Sequence, residues 1–593
     1  MFCQQCGTKN EDYSKFCIKC GAKLPLPSDM TYAGSGNVAG RESGSPAAVY
    51  EIKTTQESID SKDYFGDTGA VSKKKDGIKK LIMGVVLAAA VVALVFGIVN
   101  IFKKDSSPKS VSRDWSKLPI MYIKSSDLML KRNGNKEPYV VTSGSSYYYG
   151  SIAFTEDGKT MFFADDPSSG EFRLYYRKVD EETPKGKNAD SIGIKIASGV
   201  SSFKIQKDGK FVVYNKSGKL YYTDLDKEER LIARNVGDFD ISGDEKKVVF
   251  RNTEGDLYVC GLGKKDEPER IDTEVTQVVS SLDEYEIMYY IKDSSLYRKE
   301  YGKERERLAR DVLSGRMIDE QVYVVKKDEF DQTPGYTLYK IENGEEIKIT
   351  DCMEERTLYA TNYIRGDRII YQSAAAFLTI PEDSDYPEYD DGIRELYIIS
   401  QNNSPFKAME IDINETGYYS LSLDGKYFYI IEDLDYENNA GVLYRYTVGT
   451  DSLKDKTKIC DEASYVYPHN EDVVTMLYSD GETIMGFYSG GKYYELSDAA
   501  SENYQYFKGA LYYLEDYSNN YDSGTLMKFK NGKSEKIDTD VHDFFVRDEA
   551  DIVYIKDYST RRNYGDLYQK KGSSEPARID TDVSSIIRVY YYY

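Results

Sequence analysis

Four cysteines near the start of the chain have the spacing of a metal site. They form two Cys-x-x-Cys-Gly pairs, Cys3 with Cys6 and Cys17 with Cys20. Two intervening residues let both sulfurs of a tight turn reach one ion, and the following glycine permits the positive φ that such a turn requires. Four thiolates make a closed tetrahedral shell for Zn²⁺, with no open position for a substrate. We therefore predict a structural zinc site at Cys3, Cys6, Cys17 and Cys20.

This cysteine module covers residues 1–24 and is too small to fold by burying apolar surface, so the metal must supply the folding energy. Redox dithiols and a rubredoxin-like iron site are the alternatives. The doubled Cys-x-x-Cys-Gly spacing disfavours the dithiols, and the short flanking segments disfavour the iron site. The segment resembles the N-terminal zinc-ribbon domains of many bacterial membrane proteins. That resemblance implies a docking or structural role rather than catalysis.

Catalytic motifs are not found in the rest of the sequence. Only two histidines are present, His469 and His542, and there is no Gly-x-Ser-x-Gly, His-Glu-x-x-His or phosphate-loop motif. The remaining cysteines, Cys260, Cys352 and Cys460, are scattered and odd in number, so we predict no disulfide framework. We assign no catalytic or cofactor-binding residue. Carboxylate-only hydrolysis of a polysaccharide stays open as the alternative to a non-enzymatic role.

An acidic insertion at residues 381–392 is the second place where a metal could bind. Its clustered carboxylates are the oxygen ligands that Ca²⁺ prefers. Their spacing does not match the Asp-x-Asp-x-Asp-Gly pattern, which favours a solvated acidic loop over a calcium site.

An uncharged stretch at residues 81–102 predicts a membrane span. Its 22 uncharged residues would form a helix of about 33 Å, enough for a bilayer core of about 30 Å. Five lysines precede it within residues 73–80 and two follow directly at residues 103–104, so the N-terminal side is expected to be cytoplasmic. A thiolate metal site fits that reducing side. We therefore expect a single-pass plasma-membrane protein, anchored in lipid by one helix, with its C-terminal region outside the cytoplasm.

Composition and charge divide the chain further. The net charge is −22, to which residues 1–104 contribute +4 and residues 105–593 contribute −26. An acidic surface of this kind excludes nucleic-acid binding by the large region, since phosphate contacts need Lys and Arg. We assign residues 25–77 to a turn-rich disordered linker, 78–104 to the transmembrane helix, 105–114 to a short linker and 115–593 to one repetitive region.

The region 115–593 repeats a pattern of four short β runs. Asp-Gly-Lys turns, as at 157–159, 208–210 and 424–426, join the first and second runs, and Gly-x-Leu-Tyr begins the third, as at 441–444 and 565–568. Neighbouring fourth runs lie 36 to 42 residues apart, which is the size of one propeller blade. About ten units fit between residues 147 and 582. The last residues, 585–593, read as a first strand that could pair with the strands of 119–142.

We therefore predict a mostly β fold: a multi-bladed β-propeller region behind the zinc ribbon and the transmembrane helix. Ten or eleven blades exceed the usual four to eight, so two packed propellers are expected, with a boundary near residues 350–415. The turns and the Gly-x-Leu-Tyr runs resemble the TolB-like and WD-repeat-like propellers of bacterial envelope proteins. That resemblance implies a binding scaffold without catalytic residues.

Loops between the second and third runs are the expected recognition surface. They vary in length while the first-to-second turns are uniform, and variable loops on a rigid scaffold commonly carry binding sites. The long ones are 165–172, 327–336, 432–441, 515–524 and 556–565. The partner expected there is an unknown protein or cell-envelope ligand. Unconstrained drift of these loops would give the same pattern.

Overall fold

The computed structural model describes residues 115–588. It leaves gaps at 135, 144–151, 169, 182–192, 226–228, 264–265, 281–284, 319, 328–335, 354–363, 366–367, 373–376, 380–387, 390–391, 401–403, 436 and 480. The regular secondary structure of the described residues is β strand, apart from a short 3-10 helix at Trp115–Lys117. The zinc cysteines, the linkers 25–77 and 105–114 and the apolar stretch 81–102 lie outside them. Among the helices of the described part, none has the length and apolarity to cross a bilayer.

The strands form eleven four-stranded repeats within the described ranges, and repeat 1 takes its first strand from the end of the chain. Repeats 1 to 5 comprise β1 Ile120–Lys124, β2 Asp127–Lys131 and β3 Tyr139–Thr142; β4 Ile152–Phe154, β5 Thr160–Ser168, β6 Glu171–Lys178 and β7 Ile194–Ile205; β8 Val212–Lys216, β9 Lys219–Thr223 and β10 Arg230–Arg234; β11 Val236–Ile241, β12 Lys247–Asn252, β13 Leu257–Gly261 and β14 Glu269–Asp272; and β15 Gln277–Val278, β16 Ile287–Lys292, β17 Ser295–Glu300 and β18 Glu306–Ala309.

Repeats 6 to 11 follow the same plan, with an extra hairpin, β25 and β26, inserted in repeat 7. They comprise β19 Val312–Ile318, β20 Gln321–Lys327, β21 Tyr336–Glu342 and β22 Glu345–Met353; β23 Ile364–Arg365, β24 Arg368–Gln372, β25 Phe377–Thr379, β26 Glu388–Tyr389, β27 Ile393–Ile399 and β28 Pro405–Asp412; β29 Tyr419–Leu421, β30 Tyr427–Asp435, β31 Ala440–Val448 and β32 Leu453–Ala463; β33 Tyr465–His469, β34 Asp472–Ser479, β35 Glu482–Ser489 and β36 Lys492–Ser497; β37 Gln505–Phe507, β38 Ala510–Ser518, β39 Ser523–Lys530 and β40 Lys533–Asp548; and β41 Asp551–Ser559, β42 Tyr564–Lys571 and β43 Ala577–Ile587.

Strands within each repeat are antiparallel and pair in chain order. Three long strands, β7, β40 and β43, serve two repeats, because the fourth strand of one repeat continues into the first strand of the next. Second strands are the most buried: every residue of Ala510–Leu514 is buried in β38, whereas Lys533–Lys536 at the start of β40 are exposed. A strand covered on both faces reads as a continuous apolar run, which explains the pattern of the second runs.

Apolar packing joins each repeat to its neighbours along the chain. Eleven hydrophobic clusters occur among the described residues, and each lies between two consecutive repeats or between repeat 11 and repeat 1. The cluster around Tyr371 joins repeats 6 and 7, and the cluster around Phe428 joins repeats 7 and 8. The packing therefore continues across residues 350–415. It gives no support to the expected division into two propellers, and a boundary in that range stays a prediction.

The first and last described strands pair with each other. In β1 and β43, Met121 lies opposite Ile587, Tyr122 opposite Ile586 and Ile123 opposite Ser585. The sequence predicted this pairing from the lone run at 585–593. The cluster around Ile120 and Val583 packs repeat 11 against repeat 1.

A three-residue polar contact, here called the clasp, recurs between repeats. Asp538 on the fourth strand of repeat 10 accepts hydrogen bonds from the Tyr554 hydroxyl at 2.6 Å and the Lys556 ammonium at 2.9 Å, both on the second strand of repeat 11. Its Oδ1 also accepts from the backbone N–H of Thr539 at 2.8 Å.

Two further clasps use the same residue types. Their acceptors are Asp272 and Asp580, and each pairs with a Tyr-Ile-Lys run at 290–292 and 122–124 respectively. In all three clasps the backbone N–H of the following threonine donates to the aspartate carboxylate. The clasp at Asp580 connects the last strand to the first.

The predicted Asp-Gly-Lys turns are present. Gly158, Gly209 and Gly425 have φ of +68°, +72° and +69°, the left-handed conformation that glycine adopts without strain. The aspartates of these turns contribute through their side chains rather than through their backbone conformation. They are not at positive φ; instead Asp157 Oδ1 accepts from the backbone N–H of Lys159 at 3.0 Å, an Asx turn.

Candidate functional site

Each repeat has two ends, which carry different connections. We call the end with the strand 2–3 hairpins and the crossings from strand 4 to the next strand 1 the hairpin face. We call the end with the strand 1–2 and strand 3–4 turns the turn face. The residue at each of six crossings has positive φ and is followed by a buried valine. The pairs are Gly199-Val200, Asn235-Val236, Glu274-Val275, Asp311-Val312, Asp540-Val541 and Asp582-Val583.

Four of the six crossing residues are Asp or Glu, so the hairpin face carries carboxylates at backbone positions that the fold fixes. Asp tolerates the left-handed region better than most residues because its short side chain hydrogen-bonds locally. This pattern was not recognised in the sequence.

Four of the five long connections predicted to be loops are extended hairpins with a bulge. In each of these four the second strand carries an aspartate with φ between +50° and +56°, and the register shifts there. These residues are Asp166, Asp433, Asp516 and Asp557. A bulge bends and twists a strand and re-aims the residues beside it. In the fifth connection, 327–336, residues 328–335 lie outside the described part.

The bulge explains the glycine of the Gly-x-Leu-Tyr run. A Cβ at Gly441 would lie 2.5 Å from the carbonyl oxygen of Glu432, and a Cβ at Gly565 would lie 2.5 Å from that of Lys556. At Gly524 the distance to the carbonyl oxygen of Glu515 would be 2.7 Å. In the short hairpins the same glycine has another role, since Gly218 and Gly255 have positive φ. One sequence motif therefore satisfies two different hairpin geometries.

A groove of about 650 Å³ opens on the hairpin face between repeats 10 and 11. The bulge residues Asp516 and Asp557 and the crossing residue Asp540 line it, with Tyr558 and Tyr521. Tyr521 stands at the tip of its hairpin and is 72% exposed. The remaining lining residues are Ser518, Ser523, Gly524, Thr525 and Thr539. The groove thus presents carboxylates, hydroxyls and aromatic rings.

His542 packs against Tyr558, one of the residues that line this groove. Its ring stacks on Tyr558 with centroids 3.6 Å apart and planes inclined by 6°. Its Nδ1 lies 2.8 Å from the backbone oxygen of Asp522 and 3.3 Å from the carboxylate Oδ2 of the same residue. The Tyr517 hydroxyl donates to that carboxylate as well. These contacts fix the position of Tyr558 in the groove.

A second groove of about 780 Å³ lies between repeats 9 and 10, on the other side of the 515–524 hairpin. Tyr478 donates from its hydroxyl to Glu502 at 2.8 Å along one wall. Tyr517 and Asn519 come from the shared hairpin, and Glu482 comes from the strand 2–3 hairpin of repeat 9. The other lining residues are Gly481, Thr483, Ala499, Ala500, Ser501, Ser518 and Asn520.

Neither groove is lined by Lys or Arg. Glu515, at the base of the shared hairpin, has a raised pKa because it is partly buried and because Asp516 and Asp498 add negative charge nearby. Amide, hydroxyl, carboxylate and tyrosine groups are suited to binding neutral polyhydroxy compounds and positively charged groups. They are not suited to anions.

The chain reaches the repeats on the opposite side, at the turn face. Arg547, at the far end of the first strand of repeat 11, is almost completely buried and donates to the carbonyl oxygens of Ser116 and Leu118. Asn133 donates to the carbonyl oxygens of Ser116 and Lys117 at 3.2 and 3.1 Å. We call Trp115–Leu118 the leading segment. It is held at the end of the sheets away from both grooves.

The sequence-predicted metal ligands Cys3, Cys6, Cys17 and Cys20 lie outside the described residues. Of the insertion 381–392, the structure describes only the backbone of β26 and Gly392. Within the described ranges no group of three or more potential ligands is close enough to hold a metal ion. Cys260 and Cys460 are buried free thiols, and burial raises the pKa of Cys460 to about 11.

Comparison with known proteins identifies one segment. Residues 2–24 match the zinc-ribbon domain family, which covers all four predicted ligands. Among curated proteins, none matches the chain.

Solved structures similar to the chain match it with low TM-scores. The tricorn protease structure has a TM-score of 0.25 at 13% identity, over 78% of this chain and 46% of its own, so the chain spans less than half of that protein. A eukaryotic initiation factor has a TM-score of 0.33 at 10% identity, over 66% of this chain and 97% of its own. An acylaminoacyl peptidase of Pyrococcus horikoshii has a TM-score of 0.24 at 14% identity, over 62% of this chain and 58% of its own. We base no functional argument on these three matches. The chain therefore carries an N-terminal zinc-ribbon domain in front of a mostly β region.

Proposed function

We propose that this chain is a single-pass membrane protein whose β region binds a ligand or protein partner outside the cytoplasm. The apolar stretch 81–102 anchors it, and the zinc ribbon of residues 2–24 serves as a cytoplasmic docking module. The scaffold is not an enzyme in this proposal. The binding proposal rests on the two grooves beside the 515–524 hairpin, because they combine exposed tyrosine with polar groups on a rigid support.

The scaffold is a closed ring of eleven blades in this proposal. The pairing of β1 with β43, the cluster between repeats 11 and 1 and the clasp at Asp580 all favour closure. Closure gives every repeat a neighbour on both sides and leaves only short strand edges, which is how propeller folds limit aggregation. Arg588 adds a contact between first strands, since it pairs with Asp543 of repeat 11 at 2.8 Å.

Rigidity of the grooves follows from the bulged hairpins and the crossings. Asp516, Asp540 and Asp557 are positioned by backbone conformation rather than by flexible loops. Sites on rigid elements lose little entropy on binding. The fixed spacing of these groups would favour one ligand shape over others.

The leading segment supports the proposed presentation of the grooves. Since Trp115–Leu118 is held at the turn face, a tether that precedes it leaves the hairpin face unobstructed. A receptor or scaffold attached to a membrane needs this arrangement to reach a large partner.

Retention of an envelope component by the full chain tests the binding proposal. Full-length protein in detergent would be immobilised and exposed to a cell-envelope extract, alongside the variants Tyr521→Ala and Ile393→Ala. Both side chains are well exposed, but only Tyr521 belongs to a groove. We expect one component to be retained saturably by the wild type and by Ile393→Ala, and weakly by Tyr521→Ala. Equal retention by all three proteins would contradict the assignment of the site.

A polysaccharide hydrolase is the second candidate, and Glu515 is the observation that favours it. A carboxyl group with a raised pKa beside a second carboxyl group, here Asp516, is the pairing that glycosidases use. Release of soluble sugar from envelope polysaccharide by the wild type, and its loss in Glu515→Gln, would support this alternative. The same assay with no release, but with retention of the polymer, would favour the binder.

A further inference from the structure

A basic pocket lies on the turn face, where the last repeat meets the first. It encloses about 420 Å³ between the strand 3–4 turns of repeats 1 and 11. Four cationic side chains line it, along with two glutamates, Glu137 and Glu575. The cations are Lys131, Lys136, Lys571 and Arg578. Such a concentration of positive charge is unusual for a chain whose net charge is −22.

The cations of the pocket are only partly neutralised. Arg578 pairs with Asp566 at 3.2 Å on the surface. The Lys131 ammonium donates to the carbonyl oxygens of Gly134 at 2.6 Å and Lys136 at 2.7 Å, which satisfies its hydrogen bonds but not its charge. In the described part of the chain, neither Lys136 nor Lys571 has a carboxylate partner. Both ammonium groups are therefore available to a ligand.

The pKa of Lys131 reflects the excess positive charge of the pocket. Burial lowers its pKa, and Glu137 offsets part of that effect. The positive charges of Lys571 and Arg132 then lower the pKa further. An anion in the pocket would relieve this repulsion between the cations.

The strand 3–4 turns of other repeats differ in charge. In repeat 6 this turn is Glu342-Asn343-Gly344-Glu345, whereas in repeat 10 it carries Lys530 and Lys533. Basic character is therefore not a requirement of this turn in the repeat.

The same turn holds the leading segment. Asn133 lies between Lys131 and Gly134 of the pocket, and its side chain donates to Ser116 and Lys117. The pocket thus adjoins the point where the proposed membrane tether reaches the scaffold. Basic groups close to a bilayer surface attract anionic lipid headgroups.

We propose that the pocket formed by Lys131, Lys136 and Lys571 binds a phosphate group, presented by an anionic phospholipid headgroup or as free phosphate. Lysine ammonium groups bind phosphate as point charges with several donors. The lipid source rests on the membrane anchoring proposed above, whereas the phosphate site does not. The site is independent of the grooves, which lie on the other face.

Lysine acylation footprinting of the full chain in nanodiscs tests the proposal. The chain would be placed in discs of phosphatidylcholine, of phosphatidylcholine with added inorganic phosphate, and of phosphatidylglycerol. Acylation rates of Lys136 and Lys571 would be compared with those of the exposed Lys454 and Lys533. Since a basic residue gains about 1 kcal/mol at an anionic surface, we expect about fivefold slower acylation of the pocket lysines.

The two sources give different results. Protection in phosphatidylglycerol discs without added phosphate assigns the lipid headgroup. Protection in phosphatidylcholine discs only after addition of phosphate assigns the free anion. If the acylation rates of the pocket lysines, relative to those of the control lysines, are the same under all three conditions, the proposal is overturned, whatever the grooves bind.

A charge-reversal variant provides a second measurement. Inorganic phosphate should raise the thermal unfolding temperature of the wild type, because a ligand that binds only the folded state stabilises it. Lys136→Glu/Lys571→Glu should lose the increase that phosphate causes, measured against its own unfolding temperature without phosphate. Lys454→Glu/Lys533→Glu should retain that increase. An increase of equal size in both double variants would contradict the site.

Discussion

Asp580, in the last strand, accepts a hydrogen bond of 2.7 Å from the hydroxyl of Tyr122, in the first. The same carboxylate pairs with Lys124, so the contact reproduces the clasps at Asp272 and Asp538. The latter two join repeats that are neighbours in the chain, whereas the contact at Asp580 joins its two ends. Repeats 11 and 1 are thereby connected in the same way as repeats within the sequence.

Removing the charge of Asp580 tests whether this closing contact contributes to stability. Hydrogen bonds to charged groups are worth about 1.5–3 kcal/mol, so Asp580→Asn should lower the free energy of unfolding by roughly that amount. Asp538→Asn, inside the chain, is the matched control and should have a similar effect. Urea unfolding followed by circular dichroism gives both values. A neutral Asp580→Asn beside a destabilising Asp538→Asn would show that the ends do not close in solution.

The clasps also make the stability of the fold depend on pH in the acidic range. Burial alone would raise the pKa of Asp580, but the hydrogen bonds from Lys124 and Tyr122 outweigh it and hold the pKa below its usual value. The pKa of Asp538 is lowered against its burial by hydrogen bonds from Tyr554 and Lys556, and that of Asp272 by hydrogen bonds from Tyr290 and Arg305. A lowered folded-state pKa contributes stability that is present above the unfolded value of about 3.9 and is lost as pH falls through the folded value.

We therefore expect the unfolding temperature to be steady near neutral pH and to decrease below about pH 4. The decrease should be smaller in Asp272→Asn/Asp538→Asn/Asp580→Asn than in the wild type, even though this variant is less stable at neutral pH. Parallel curves for the two proteins would contradict the assignment to these carboxylates.

Tyrosine ionisation should limit stability at the alkaline end. Burial raises the pKa of Tyr467 to about 12, and burial together with the neighbouring carboxylate raises the pKa of Tyr290 and Tyr554. Their stabilising contribution is complete below the unfolded pKa of about 10 and is lost as pH rises above it. Absorbance at the phenolate band should show exposed residues such as Tyr521 ionising first and the buried ones only as the protein unfolds. Ionisation of all 56 tyrosines near pH 10 without unfolding would contradict this expectation.

The bulged hairpins require glycine on the facing strand. Gly524→Ala and Gly565→Ala place a Cβ 2.7 Å and 2.5 Å from a backbone oxygen, so each should cost about 1–3 kcal/mol of unfolding free energy. Gly243→Ala is the control, since nothing lies within 4 Å of its Cβ. Urea unfolding distinguishes them. Equal stability of all three variants would mean that the bulges are absent.

Much of the β region could be predicted from the sequence because its signals are local. The Asp-Gly-Lys turns, the spacing of the fourth runs and the apolar second runs each lie within one repeat. They gave the strand order, about ten units between 147 and 582 and the pairing of 585–587 with the first strands.

Contacts between repeats could not be read in this way. A Tyr-Ile-Lys run is ordinary in a strand, and only the fold brings Tyr122 to Asp580, 458 residues away. The bulges at Asp516 and Asp557 were interpreted as loops because Asp-Tyr-Ser has no strand periodicity, although the facing glycine was visible. The expected pair of propellers rested on typical blade numbers, and these do not describe which repeats pack together.

Metal content tests the zinc ribbon directly. The full chain should carry about one equivalent of Zn²⁺, and Cys3→Ser or Cys17→Ser should lose it, because structural sites need all four ligands. Cys460→Ser is the control, as this buried thiol is unrelated to the ribbon. Elemental analysis after purification without added metal gives the answer. Full zinc in Cys3→Ser would contradict the ligand assignment.

The most direct test of the account is thiol labelling of Tyr521→Cys in intact cells. The hairpin tip is exposed, Cys260 and Cys460 are buried, and Cys352→Ser removes the third native thiol of the β region. If the hairpin face is presented outside the membrane, a membrane-impermeant maleimide labels the introduced thiol without permeabilisation, whereas Cys3–Cys20 react only after permeabilisation and metal removal. Labelling of the introduced thiol only after permeabilisation, or of the ribbon cysteines in intact, metal-stripped cells, would contradict the account.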